Sequence, residues 1–153
     1  MKKVKYKRDI LENKLWNDEM RILILNAHGL NLVSEKRNVI LTNKMETETD
    51  VVLIGETKER KLKRKVGIEL KEHDFAKAIS QAVRRRKYFN YFYVILGMSA
   101  GDILNQILND YNIYEAIRVK GIGLISFEDK QILHYSHFFS TPLMIEDFTE
   151  IKT

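Results

Sequence analysis

Two apolar runs flanking a highly charged tip constrain this chain more than anything else in it. The first is Asp50-Val51-Val52-Leu53-Ile54. The second is Lys65-Val66-Gly67-Ile68-Glu69-Leu70-Lys71, and residues 57–64 lie between them. Aliphatic and β-branched residues in runs of this length read as strands, and the charged tip reads as the turn of a hairpin. Side chains alternate faces along a strand, so Val66, Ile68 and Leu70 share one face and Glu69 and Lys71 the other. The first face is core. The second sets a carboxylate beside an amine, and Gly67 leaves room there for something to approach closely. With Asp50 opening the neighbouring strand, three charged groups converge. Charged residues at strand ends are commonly just solvated. A carboxylate pair with a lysine also suits a hard divalent cation and an attacking water.

The surrounding pattern places this hairpin in a larger sheet. Residues 9–27 carry Leu11, Leu15, Ile22 and Leu25 at helical spacing, with Asp9 positioned to cap the start and His28-Gly29 to end it. Residues 30–34 and 39–45 read as short strands, and the polar stretch 46–49 separates them from a strand over 50–56. Asp74 caps a helix reaching about Lys87, with Phe75, Ala78, Ile79, Ala82 and Val83 as its buried stripe. Its other face carries Lys77, Gln81, Arg84, Arg85 and Tyr88. Residues 90–96 form a strand apolar enough to be central. Ser99-x-x-Asp102 opens a helix running to Tyr111. Residues 121–127 and 131–139 are late strands. A helix between the strands at Lys71 and Asn90 makes a crossover, so part of the sheet is parallel. The expected fold is α/β (mixed α+β): one domain over 1–153, a central mixed sheet flanked by helices, and a core at about 9–139.

Charge is distributed unevenly. Residues 1–90 hold 22 Lys/Arg against 13 Asp/Glu, a balance of +9; residues 91–153 hold 4 against 8, a balance of −4. The basic residues cluster at 2–8, 58–65 and 84–87, leaving a basic N-terminal segment and an acidic C-terminal tail. Separated basic clusters in one small domain are the footprint of a polyphosphate partner, and nucleic acid is the expected one. Cysteine is absent, which excludes disulfides and thiolate metal sites and fits an intracellular, cytoplasmic protein. No apolar run approaches the roughly eighteen residues of a membrane span, so no membrane partner is expected.

In motif and element order the chain resembles the PD-(D/E)XK nuclease superfamily, which has a restriction-endonuclease-like αβββαβ core. Asp50, Glu69-Leu70-Lys71, Gln81 in the following helix and the strand at 90–96 fall in the family's order, and the glycine-flanked run at 121–125 resembles its outer strand. The resemblance covers about residues 9–127. Thr49 stands where the family pattern has proline.

The resemblance implies a metal-dependent endonuclease that hydrolyses phosphodiester bonds in DNA (RNA is not excluded) and works as a homodimer. Asp50 and Glu69 would ligate Mg²⁺ or Mn²⁺ with the carbonyl of Leu70. Glu12 is the candidate for a further helix acid, with Glu19 competing. Lys71 would position the attacking water or compensate charge, and Gln81 would hydrogen-bond the water, a phosphate or Lys71. Lys77, Arg84 and Arg85 on the helix, and Lys58, Arg60, Lys61, Lys63 and Arg64 at the hairpin tip, would contact the phosphate backbone. No recognised base-reading motif is present, which points to structure-directed or weakly specific cleavage. The alternative is a non-catalytic nucleic-acid-binding or assembly subunit that retains the fold.

Three other patterns compete. His134-x-x-His137 has zinc-like residues, but on a strand positions three apart face opposite sides. Gly121-x-Gly123 is a fragment of a dinucleotide fingerprint without its third glycine. Gly97-x-Ser99-x-Gly101 matches a nucleophile elbow, yet Ser99 is equally a helix cap.

Overall fold

A seven-stranded mixed sheet organises the protein. The computed structural model describes residues 12–41, 44–140 and 148–150, of which 41, 44–47 and 148–150 are described through their backbone alone. The elements in chain order are α1 (Asp18–Ala27), β1 (Leu30–Leu41), β2 (Lys44–Thr57), β3 (Lys63–Lys71), α2 (Phe75–Arg85), β4 (Tyr91–Leu96), α3 (Ala100–Asn109), α4 (Tyr111–Lys120), β5 (Gly123–Ser126), β6 (Gln131–His134) and β7 (Phe148–Glu150). Strand order across the sheet is β6-β5-β4-β3-β2-β1-β7. β1, β2 and β3 form an antiparallel meander, whereas β3, β4 and β5 run parallel. The two parallel joins are the crossovers carrying α2 and the α3–α4 pair, as the apolar patterns require. The basic N-terminal segment 2–8, Asp9, Leu11 and most of the acidic tail lie outside the described residues.

The sheet divides the core in two. Val52, Ile54, Phe92, Val94, Leu96 and Leu124 face α2, α3 and α4; Val51, Leu53, Val66, Ile68, Leu70, Tyr93 and Ile95 face α1. Period-two alternation on β2 and β3 supplies both sides at once. Each fully buried aliphatic side chain here contributes roughly 1.5–3 kcal/mol.

Several local expectations are corrected. The helix expected over 9–27 is interrupted: Asn17 caps α1 by accepting the Met20 N–H at 3.0 Å, with Asp18 and Glu19 in the first turn. A good cap followed by acids outweighs continuation of the apolar spacing. Met20 and Ile24, with Leu15 and Trp16 ahead of the cap, are buried, while Ile22 is 54% exposed. The strand expected at 30–34 and the start of the one expected at 39–45 are a single long β1 ending at Leu41, irregular near Leu32/Ser34 and Val39/Leu41, while residues 44–45 already belong to β2. Residues 46–49 belong to β2, so Asp50 sits within a strand and does not open one.

The helix expected to run from Ser99 to Tyr111 ends at Asn109 and is followed by a separate helix, α4. Asp110 caps it by accepting from the N–H groups of Asn112 and Ile113, and Gly121 ends it at φ +60. Gly121 is therefore a helix stop and not a strand start. β6 ends at His134, five residues before the expected limit of 139.

Candidate active site

β2 and β3 part company at Asp50. Their pairing ends at Val51–Ile68, although β3 continues beside β4 to the Lys71–Leu96 pair. β2 follows β1 instead, through Val39–Thr49 to Leu41–Lys44. The last part of β3 thus faces a gap where its antiparallel neighbour should be. The Asp50 carboxylate fills it: the Leu70 N–H donates to Asp50 Oδ2 at 2.8 Å. In an extended strand the N–H and C=O of one residue point the same way, so the Leu70 carbonyl is turned toward this gap as well.

Alternation places Glu69 and Lys71 on the α2 face, opposite Val66, Ile68 and Leu70. Both are nearly buried, at 6% and 7% exposure. Arg85 of α2 donates to Glu69 Oε2 through Nη1 at 3.1 Å. Lys71 Nζ lies 3.9 Å from Glu12 Oε1. Glu19 is elsewhere, paired with Lys130 at 3.4 Å on the surface, which separates the two helix-acid candidates. The cluster therefore contains Asp50, Glu69, Lys71, Glu12 and Arg85.

The electrostatics of the pair follow from this packing. Burial, and then the neighbouring charge of Asp50, push the Glu69 carboxyl up to about 8, against the pull of Arg85 and Lys71. Burial pushes Asp50 up to about 6; the Leu70 N–H opposes this and the charge of Glu12 adds to it. Two adjacent carboxylates in a poorly solvated gap lack sufficient positive charge.

Two polar atoms one turn apart on α2 lack partners, and the second belongs to the arginine that pairs with Glu69. Gln81 Oε1 and Arg85 Nε are buried without a hydrogen bond. A buried acceptor with no donor in the protein is costly, by roughly 1–3 kcal/mol, and is met by water or a ligand. Among the described residues no three His, Asp or Glu side chains converge tightly enough to hold an ion by themselves. Two carboxylates, a backbone carbonyl and water nevertheless fit Mg²⁺ or Mn²⁺, which keep several waters and accept few protein ligands.

The remaining candidates are more dispersed. Arg85 turns into the site and does not line up with exposed Lys77 and Arg84 on the outer face of α2. Its spacing of four from Gln81 puts both on one helix line, a signal that spacing alone could have given. Within 84–87, Arg86 is almost fully buried, so this stretch is not a uniform basic face. Tyr88 packs on the core.

Lys58, Arg60, Lys61 and Lys63 are exposed at the β2–β3 tip, with Lys63 bound to Glu56 at 2.6 Å. Arg64 is half-buried beside them, and Lys65 is buried. The tip is at the opposite end of β3 from Glu69: six residues of strand separate Lys63 from it, roughly 20 Å.

Gly67 does leave room, but its occupants are core rings. An added Cβ would stand 2.6 Å from Phe92 and 2.9 Å from Phe89. Ser99 accepts the Asp102 N–H at 3.1 Å, as a cap does. Because β6 ends at His134, the opposite-face argument does not apply to His137, and the two imidazoles lie 5.5 Å apart. His134 Nδ1 is engaged by the Ile122 carbonyl at 2.7 Å.

Among the described residues no helix is long and apolar enough to cross a membrane. Comparison with family models, with curated proteins and with solved structures finds no match to this chain.

Proposed function

We propose that this chain is a metal-dependent phosphodiester hydrolase acting on DNA, a member of the PD-(D/E)XK nucleases with its site at Asp50, Glu69 and Lys71. One observation carries this reading. Asp50 and Glu69, distant in sequence, share a buried gap with Lys71 and Arg85, and the unsatisfied Gln81 stands one helical turn before Arg85 on α2. Such an arrangement has little use in a purely structural role, because burying like charges together costs stability.

Asp50, Glu69 and the Leu70 carbonyl would hold Mg²⁺ or Mn²⁺, with Glu12 behind Lys71. The ion would acidify a water and offset charge on the scissile phosphate. Lys71, tethered near Glu12, presents an ammonium to the phosphate or the water. Gln81 supplies the acceptor that orients a water's proton. Arg85 holds Glu69 in position and exposes little else to solvent. Exposed Lys77 and Arg84 on α2 extend the cationic surface outward along the path of a nucleic-acid backbone.

The Arg85–Glu69 ion pair also favours a second reading, a non-catalytic nucleic-acid-binding subunit, because it satisfies one carboxylate without a metal. Plasmid and branched-DNA cleavage in Mg²⁺ or Mn²⁺ separates the two. Asp50→Ala, Glu69→Ala and Lys71→Ala should each reduce hydrolysis by ~10³-fold or more. Cleavage that persists in all three would overturn the enzyme reading. Salt-sensitive binding without any cleavage would support the second.

A further inference from the structure

The far end of the sheet carries an ordered aromatic array beside the basic tip. The His28 ring stacks on Tyr91 at 3.8 Å, Tyr91 meets Phe138 edge-on at 5.7 Å, and the Arg64 guanidinium sits 4.7 Å over Phe138. Phe138 is nonetheless 46% exposed. An exposed phenylalanine on a loose segment would carry little meaning. This one stands on a rigid mount.

The Phe139 N–H donates to the Asn90 carbonyl at 2.9 Å and Asn90 Nδ2 donates to the Phe139 carbonyl at 3.0 Å. On the other side the His137 N–H donates to Gly121 O at 3.0 Å, and Arg86 Nη2 donates to the His137 carbonyl. The backbone on both sides of Phe138 is therefore fixed, and its ring is held out to solvent at little further entropic cost. Beside it lies a cleft of about 520 Å³ lined by three basic residues, Lys58, Arg60 and Arg64, one carboxylate, Glu59, and by Gly29, Thr57 and Leu62.

A preformed ring, an arginine plane and a basic cleft are the elements that hold a single strand: bases stack on π-faces while lysines and arginines follow the phosphates. We infer that the Phe138–Arg64 platform and the Lys58/Arg60 cleft form a second nucleic-acid site, for a single-stranded segment, at the opposite end of β3 from Glu69. The inference depends on the proposed function for the class of ligand only; it does not require cleavage. Its consequence is geometric. A strand held here is anchored roughly 20 Å from the carboxylates, so the enzyme would favour substrates in which an unpaired segment lies about that far from the cut.

The test is fluorescence anisotropy on the full chain carrying Asp50→Asn, in EDTA, with labelled oligothymidylate and with a labelled duplex of the same length. Failure of the metal-site reading then leaves the outcome unaffected. Phe138→Ala should weaken oligothymidylate binding about tenfold and leave duplex binding unchanged. Phe138→Trp should retain it. The double substitution Lys58→Glu/Arg60→Glu should weaken binding and lower the salt slope by roughly one to two. Circular dichroism checks that each variant is folded. Wild-type binding of the oligomer by Phe138→Ala overturns the platform, as does an equal loss for duplex and single strand. Absence of any binding to either probe overturns the site altogether.

Discussion

Arg86 and the Asp50–Glu69 pair are both charged groups removed from water, and they are treated in opposite ways. Arg86 is 1% exposed. Every arm of its guanidinium is used: Nε on Lys120 O, Nη1 on Phe89 O, and Nη2 on the carbonyls of Asn90 and His137. Phe139 covers it at 3.9 Å. Burial alone pulls this guanidinium down to about 10, and it remains charged at neutral pH. The carboxylate gap has the reverse character, with like charges together and two polar atoms unsatisfied. A fully satisfied buried charge fixes a fold, whereas an incompletely satisfied one is left open for something else.

Removing the satisfied group should therefore produce the largest loss of stability. Arg86→Met takes a donor from four carbonyls: Lys120 O and Phe89 O lose the side-chain donor, whereas Asn90 O keeps the Phe139 N–H and His137 O keeps the Ser136 hydroxyl, so the 136–139 segment is loosened but not released. Urea unfolding should show a destabilisation of about 3–5 kcal/mol. A loss under about 1 kcal/mol would mean that the carbonyls find water, and the contrast with the carboxylate gap would fail.

A third polar group belongs with Arg86. The Ser136 N–H donates to Tyr93 Oη at 3.2 Å, and the Tyr93 hydroxyl and His28 Nε2 are hydrogen-bonded at 2.7 Å. Burial favours the neutral imidazole there and pulls His28 from 6.5 down to about 4. With the folded value below the unfolded one, the unfolded chain takes up the proton first. The stabilising contribution is complete above pH 6.5 and is lost as pH falls from 6.5 toward 4. The ring is partly solvated, so screening reduces the effect to roughly 1 kcal/mol by pH 5. Thermal melts across that range should show a slope in the wild type that flattens in His28→Gln. Equal slopes would remove His28 from the satisfied set.

The same contrast marks what could be read from sequence. The meeting of Asp50, Glu69 and Lys71 was legible because strand alternation is local and strict, and a charged tip between two apolar runs allows one simple connection. The Asp74-capped α2 and the central β4 were legible for similar reasons. α4 was not: Ile113, Ala116 and Ile117 pack on the core, but the exposed Tyr111, Tyr114 and Val119 put apolar residues on its other face too and blur the stripe. The roles of the basic run 84–87 were also hidden. Arg84 faces out, Arg85 turns to Glu69 and Arg86 enters the core. Which of three consecutive arginines finds carbonyls depends on chain segments some 34 and 51 residues away. No local pattern encodes that. The position of Asp50 within β2 was missed for a similar reason, because its strand continues on the strength of β1 and not of its own composition.

The smallest expected effect tests the comparison most directly. Asp50→Asn removes the charge of the more acidic of two crowded carboxyls but keeps an oxygen that can accept the Leu70 N–H. In EDTA at neutral pH the variant should be more stable than the wild type by about 1 kcal/mol, since a charge with insufficient solvation and an adverse neighbour is gone. Added Mg²⁺ or Mn²⁺ should then raise the melting temperature of the wild type and leave that of the variant unmoved. A gap designed only for stability would give the opposite sign in EDTA. Stability and function then oppose each other at Asp50, whereas at Arg86 they do not, and a single pair of melts with and without the ion distinguishes the two cases.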